Sequence, residues 1–367
     1  MSGVGVLDTS LIAAVLAEPG RVAGLDAAAW SVLIGQARNA EMLGQLHARL
    51  SCAAALHFAP QAARRHLDLA WQLSMRHREA VRWEVLHIAR ALRKLDVPVV
   101  LLKGAAYALA DYPAAEGRVF NDVDIMVPHA AITTVEYALL DAGWIPQIVN
   151  DYDQRYYRRW MHEIPPLEHK SRGTVLDVHH TIVPPTSGVV PDANVLLERA
   201  QPLNGLESDR LGMFRVLAPE DMVLHSAAHL FFNEFHKGLR DLYDLHRLLT
   251  HFGDVPAFWT VLRRRAFETG LEQPLNDALQ HCARVFHTAV PEVELAQVVR
   301  ARSWRGVGAL RDWMLRRALL PDHPSCTTSS VRFARWMAFV RSPRLRLPPR
   351  VMGVNMHNKA DRTAAGF

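Results

Sequence analysis

Apolar residues recur at three- and four-residue spacing through Ala27–Leu50 and again from Gln61 to Leu95, with few glycines or prolines inside. That spacing predicts a helical region over residues 1–95, and Pro60 is placed to start the second of these helices. The pattern then changes period. Val97-Pro-Val-Val-Leu-Leu102 is a short β-branched run ending at Lys103-Gly104, which predicts a strand followed by a helix over Ala105–Ala110. A loop over Asp111–Phe120 leads to a second strand, Asp122–Val127, stopped by Pro128; Ala130–Ala142 reads as a helix ended by Gly143. After a polar, aromatic segment come two more strand-like runs, Leu167–Lys170 and Thr174–Ile182, joined by Ser171-Arg-Gly173. Helical spacing returns from Pro219 over Glu220–Phe232, Arg240–His251, Pro256–Thr269, Pro274–His287 and Gly306–Leu319. No internal repeat is visible. The chain thus divides into helical residues 1–95, a β-containing core over 96–218, a helical domain over 219–341 and a Pro/Arg-rich tail over 342–367 that is expected to be poorly ordered. This is an α+β chain with a mixed sheet flanked by helical regions.

Composition narrows the picture. Half of the 367 residues are apolar and 22% are charged, as in ordinary globular proteins. Three widely separated cysteines, Cys52, Cys282 and Cys326, form no Cys-x-x-Cys pair, which argues against a disulfide framework or a thiolate zinc site. No apolar stretch reaches the roughly 18 residues of a membrane span, and the N-terminus lacks the pattern of a signal peptide. A soluble, cytoplasmic protein is expected. The net charge is +5, and Arg332 to Arg350 holds six arginines and no acid. Such an excess suits anionic substrates or nucleic acid. An Ala/Arg-rich composition accounts for it as simply, and RNA is not the favoured partner.

The chemistry concentrates at Asp122 and Asp124. In a strand, period-two alternation puts both carboxylates on one face and Val123 and Ile125 on the other. Neighbouring carboxylates repel unless a cation neutralises them, and hard oxygens at this spacing suit Mg²⁺ held together with substrate phosphates. That combination points to phosphoryl or nucleotidyl transfer. Neutralising either residue to Asn is expected to leave the metal-free fold intact or slightly stabilised. Asp177 and His179 share a face of the Thr174–Ile182 strand, and a third carboxylate beside an Asp-x-Asp strand completes a metal site or accepts a proton.

Taken in order, Leu101-Leu-Lys-Gly-Ala105, Arg118 before Asp122-Val-Asp-Ile125, Leu176-Asp-Val-His179, Pro219-Glu-Asp-Met-Val-Leu-His225 with His229, and Leu239-Arg-Asp-Leu-Tyr-Asp-Leu245 resemble the nucleotidyltransferase superfamily with the polymerase-beta-like fold. They are most similar to its uncharacterised bacterial nucleotidyltransferase family proteins. The resemblance covers about residues 97–250. It implies a mixed sheet backed by helices, with Mg²⁺ bound by Asp122, Asp124 and Asp177. By the same resemblance Gly104 approaches the phosphates, Lys103 and Arg118 contact them, and the co-substrate is an NTP, most simply ATP. Two departures stand out: Ala105 replaces the usual small polar or glycine residue after Gly104, and the spacing from Gly104 to Asp122 is long. The implied activity moves a nucleoside monophosphate to a small molecule, peptide, protein or RNA acceptor. The alternative is a catalytically inactive nucleotide- or partner-binding module of the same fold.

Further residues carry weaker signals. His225 and His229 share a helical face but lack the glutamate of a His-Glu-x-x-His hydrolase, so they read as seam or pocket residues. Arg240 and Asp244, four apart, read as a helical ion pair. His179 reads as structural, and Trp304, Trp313 and Trp336 as helical core.

Overall fold

Val99–Leu102 is completely buried and forms β1 in the interior of a seven-stranded mixed sheet, seen in the computed structural model of the chain. The structure describes residues 10–346 apart from 149–150, 204–211, 234 and 301–304. The remaining strands are β2 (Asp122–Met126), β3 (Trp144–Pro146), β4 (Leu167–His169), β5 (Val175–His179), β6 (Gln201–Pro202) and β7 (Phe214–Val216), in the order β3-β4-β5-β2-β1-β7-β6. β2 lies between β1, antiparallel to it, and β5, parallel to it. β7 runs parallel to β1 on its other side. The apolar run of β1 follows from this central position, since a strand covered on both faces needs no polar side.

The α+β expectation holds, with helices on both sides of the sheet in sequence. The 32-residue helix Gln61–Leu92 packs on β2 and on the helices Lys103–Leu109 and Ile132–Asp141. Helices Pro219–Phe232, Gly238–Phe252, Phe258–Thr269 and Glu272–Phe286 pack on one another, and Leu11–Ala17 lies against Glu272–Phe286. One apolar core is continuous from Ile12 to Ala338. Among the described residues no helix is long and apolar enough to cross a membrane.

Several boundaries differ from the periodicity. The run Ala27–Leu50 is two helices, Ala27–Asn39 and Leu43–Cys52, broken where Glu41 takes φ 56°. The chain there enters the left-handed region, which ends an α-helix whatever the hydrophobic spacing. β3, β6 and β7 have two or three residues each, too few to display alternation. The polar, aromatic segment contains the helix Asp151–Trp160. The arginine-rich stretch is helical over Ser329–Arg346, with Val331, Ala334 and Ala338 buried. The expected break near Ser342 therefore falls inside a helix, and residues 347–367 lie outside the described residues. Of the tryptophans, Trp313 packs against the core, Trp336 is 58% exposed, and Trp304 lies outside the described residues.

Candidate active site

The register of the central strands assembles the site. Asp124 is the partner of Leu102 on β1 and of Asp177 on β5. Register partners project to the same face, so Asp124 and Asp177 stand side by side. Asp122 and His179, each two residues along its own strand, join them on that face. Val123 and Ile125 are buried on the opposite face, as the alternation predicts. Asp122 is exposed at the strand's start, Asp124 is buried, and Asp177 is half-buried.

The segment after the Asp151–Trp160 helix adds two further groups. The Ile164 N–H donates to the Val178 carbonyl and the His180 N–H to the His162 carbonyl, at 3.0 and 2.9 Å. This makes a short antiparallel bridge with Glu163 opposite His179. Glu163 Oε2 lies 3.3 Å from His179 Nε2 and 3.8 Å from His162 Nε2. Neither His162 nor Glu163 is marked in the sequence. Met161-His-Glu-Ile-Pro-Pro166 shows no alternation, and only the bridge to β5 brings it into the site.

Charge in this cluster is uneven. Lys103, at φ 43° on the corner between β1 and its following helix, donates from Nζ to Asp124 Oδ1 at 2.7 Å. His179 Nε2 donates to the same oxygen at 3.0 Å. Burial alone would lower the affinity of Lys103 for its proton, but Asp124, Glu163 and Asp122 outweigh it and keep the ammonium charged. Burial would likewise raise the Asp124 carboxyl, yet Lys103 and His179 hold it well below the usual range. Asp177 goes the other way: burial, then Glu163 and Asp124, push it well above the ordinary value. Asp122 is raised by partial desolvation in the cleft and by Asp124. Asp177 Oδ1 is buried and makes no hydrogen bond to any described residue.

Those observations test the fit of Mg²⁺, which the sequence resemblance implies. Four carboxylates face one ammonium, two of them hold their protons abnormally tightly, and one buried oxygen is unpartnered. Hard oxygen donors with surplus negative charge are what this cation requires, so the residues fit it. His225 is buried and its imidazole is kept neutral, primarily by burial. His229 is lowered to about 3 for the same reason. Neither joins a cluster of metal-ligating residues among the described residues.

A cleft of about 430 Å³ opens beside Asp122, lined among others by Arg118, His229, Lys237, Arg240 and Asp241. Its cations are held from remote parts of the chain. Arg118 is 8% exposed, donates from Nε to Asp244 Oδ2 at 2.8 Å, and lies over the Phe120 ring at 5.2 Å. Gln45 donates to the other oxygen of Asp244 at 2.9 Å. Arg240 pairs with Glu41 at 3.0 Å and with Asp241 at 3.1 Å, and Lys237 with Glu41 at 2.7 Å. The expected Arg240–Asp244 ion pair is therefore replaced. Asp244 is buried on the side of the helix that meets Arg118, while Arg240 reaches Glu41 at the break between the two N-terminal helices.

Gly104 is explained by packing. A Cβ there would collide with the Arg118 guanidinium and come within 2.9 Å of the Phe120 ring. Glycine lets Arg118 lie across the first turn of the helix that follows β1. Lys103, Asp124 and Asp177 thus meet on the sheet, Arg118 and Asp122 line the adjoining cleft, and Asp244, paired with Arg240 from sequence, anchors Arg118 instead.

No curated protein matches the chain. The model of a family described as uncharacterised nucleotidyltransferase matches residues 26–287, which takes in β1, the Asp122–Asp124 strand, β5, the loop that carries Arg118 and the helix that carries Arg240, and the chain belongs to that family.

Proposed function

We propose that this protein transfers a nucleoside monophosphate from an NTP, most simply ATP, to a nucleophilic group on an acceptor, in a Mg²⁺-dependent reaction. The observation that carries this reading is the pairing of Asp124 with Asp177 across β2 and β5, with Asp122 on the same face and a cleft with basic walls beside it. Asp122, Asp124 and Asp177 would hold Mg²⁺, which when bound neutralises their charge and polarises the phosphate under attack. Lys103 places a permanent positive charge at Asp124, where phosphate oxygens gain negative charge during transfer. Arg118, Lys237 and Arg240 line the cleft that would receive the polyphosphate, and their carboxylate partners fix them before substrate arrives. Asp177, whose raised proton affinity and unpartnered Oδ1 set it apart, accepts the proton of the acceptor's hydroxyl or amine.

One observation favours a second reading, a nucleotide-binding module without turnover. Lys103 already neutralises Asp124 at 2.7 Å. Pyrophosphate release separates the two. Incubated with each NTP, Mg²⁺ and a cell extract as acceptor source, the protein should release pyrophosphate, and Asp122→Asn should not. Tight Mg-NTP binding with no pyrophosphate from any NTP would establish the binding module instead.

A further inference from the structure

His162, Glu163 and His179 converge beside the aspartates: His179 bonds Asp124 and Glu163 crowds Asp177, and none of the three has a step of its own in the transfer described above. One ligand atom from each lies within 4.8 Å of the other two. Glu163 Oε2 is 3.3 Å from His179 Nε2 and 3.8 Å from His162 Nε2, and the two imidazole rings lie 5.0 Å apart at 45°. Tetrahedral coordination with bonds of about 2.0–2.1 Å puts neighbouring donors about 3.3 Å apart, so a small closing of the His162 ring brings all three within range of a single ion. The backbone bridge between Glu163 and His179 already fixes two of the donors.

The surroundings support the same conclusion. His179 is fully buried, and its Nε2 faces two carboxylate oxygens, those of Asp124 at 3.0 Å and Glu163 at 3.3 Å. One imidazole proton serves both. Nδ1 of His179 and Nδ1 of His162 are buried and make no hydrogen bond to any described residue. If a cation displaces the Nε2 proton of His179, that proton can move to the unpartnered Nδ1, which gives the tautomer that ligates. The donor set also differs from the neighbouring aspartates. Two imidazoles and one carboxylate select Zn²⁺, Fe²⁺ or Mn²⁺, whereas Mg²⁺ prefers oxygen.

We propose that His162, Glu163 and His179 form a binding site for a divalent transition-metal ion of the zinc class, separate in chemistry from the aspartate site and adjoining it where the His179 ring lies against Asp124. The site is independent of the transfer reaction and stands whether or not the protein turns over an NTP.

The test uses full-length protein stripped with EDTA and titrated with Co²⁺ in the presence of excess Mg²⁺, read by visible absorption. The expected result is a ligand-field spectrum of imidazole-bound Co²⁺ that saturates at one ion per chain and is displaced by one equivalent of Zn²⁺. His162→Gln and Glu163→Gln should each weaken Co²⁺ binding by roughly tenfold or more, whereas Asp122→Asn should leave it unchanged. Circular dichroism checks that each variant is folded; because the two substitutions lie on separate side chains, either folded variant suffices. Displacement of Co²⁺ by Mg²⁺, or wild-type Co²⁺ affinity in a folded variant of His162 or Glu163, overturns the proposal.

Discussion

Asp124 and Asp177 are register partners on adjacent parallel strands, yet Asp124 is held ionised while Asp177 is pushed toward its protonated form. Burial raises both carboxyls; Lys103 and His179 overturn it at Asp124, whereas Glu163 adds to it at Asp177. Pairs of acids driven apart in this way divide acid–base work between them.

Asp177→Asn should therefore leave the metal-free protein as stable as the wild type or more so, because an amide removes a crowded charge. Turnover should fall by roughly 10²-fold or more, while Asp122, Asp124 and the Gly104 turn retain most of the Mg-ATP affinity. Calorimetry with ATP beside single-turnover rates across pH checks this. A nearly unchanged rate would make Asp177 an ordinary strand carboxylate.

Asp124 responds differently from the relief of repulsion expected from sequence. Its charge is buried against Lys103, so Asp124→Asn and Lys103→Met each strand a buried partner and should cost about 3–5 kcal/mol. The double variant should be less destabilised than the sum. Urea unfolding of the four proteins measures the coupling, and strict additivity would show that the pair contributes nothing. Asp122, exposed at the strand's start, should tolerate Asn without loss of stability.

Gly104→Ala should push the Arg118 guanidinium off Asp244, since the new methyl occupies its position. Overpacking of this kind costs roughly 1–3 kcal/mol. The more diagnostic effect is on substrate: KM for the NTP should rise more than kcat falls. An unchanged KM would mean that Arg118 does not touch the nucleotide.

Burial lowers the proton affinity of several histidines, His180 to about 4, His229 to about 3 and His246 to about 4, from an ordinary 6.5. Each is neutral when folded and protonates near pH 6.5 when unfolded. Their stabilising effect is complete above pH 6.5 and is lost as pH falls from there toward 4. Linkage sets an upper bound of about 1.4 kcal/mol per pH unit for each such residue, reduced by partial exposure. Unfolding midpoints at pH 7, 6 and 5 should decline steadily, and His246→Gln should flatten the decline. A constant midpoint across that range would contradict it.

Much of the site was legible because it is local. Asp122-Val-Asp124 needs only the two-residue period of a strand, and Asp177 with His179 needs the same. What sequence could not supply is register. Glu163 enters the site through a single bridge to His179, in a segment with no periodicity of its own. Asp244 lies four residues from Arg240, so local reasoning joined them, while burial against Arg118 and Gln45 separates them. The strands β3, β6 and β7 were missed for a related reason: elements of two or three residues are fixed by their neighbours in the sheet. Helix breaks behave alike, as at Glu41, whose left-handed backbone leaves no trace in hydrophobic spacing.

Asp244 receives Gln45 from 199 residues earlier and Arg118 from 126 residues earlier. On a ribosome extending the chain at about 5–20 residues per second, both would wait many seconds for it. The sheet strands that carry Asp122, Asp124 and Asp177 are all synthesised before Asp244, but the arginine beside them has no anchor until the helix Gly238–Phe252 emerges. All three aspartates and Arg118 thus leave the ribosome before Asp244, so the salt bridge that fixes Arg118 is among the last contacts of this region that the chain can make.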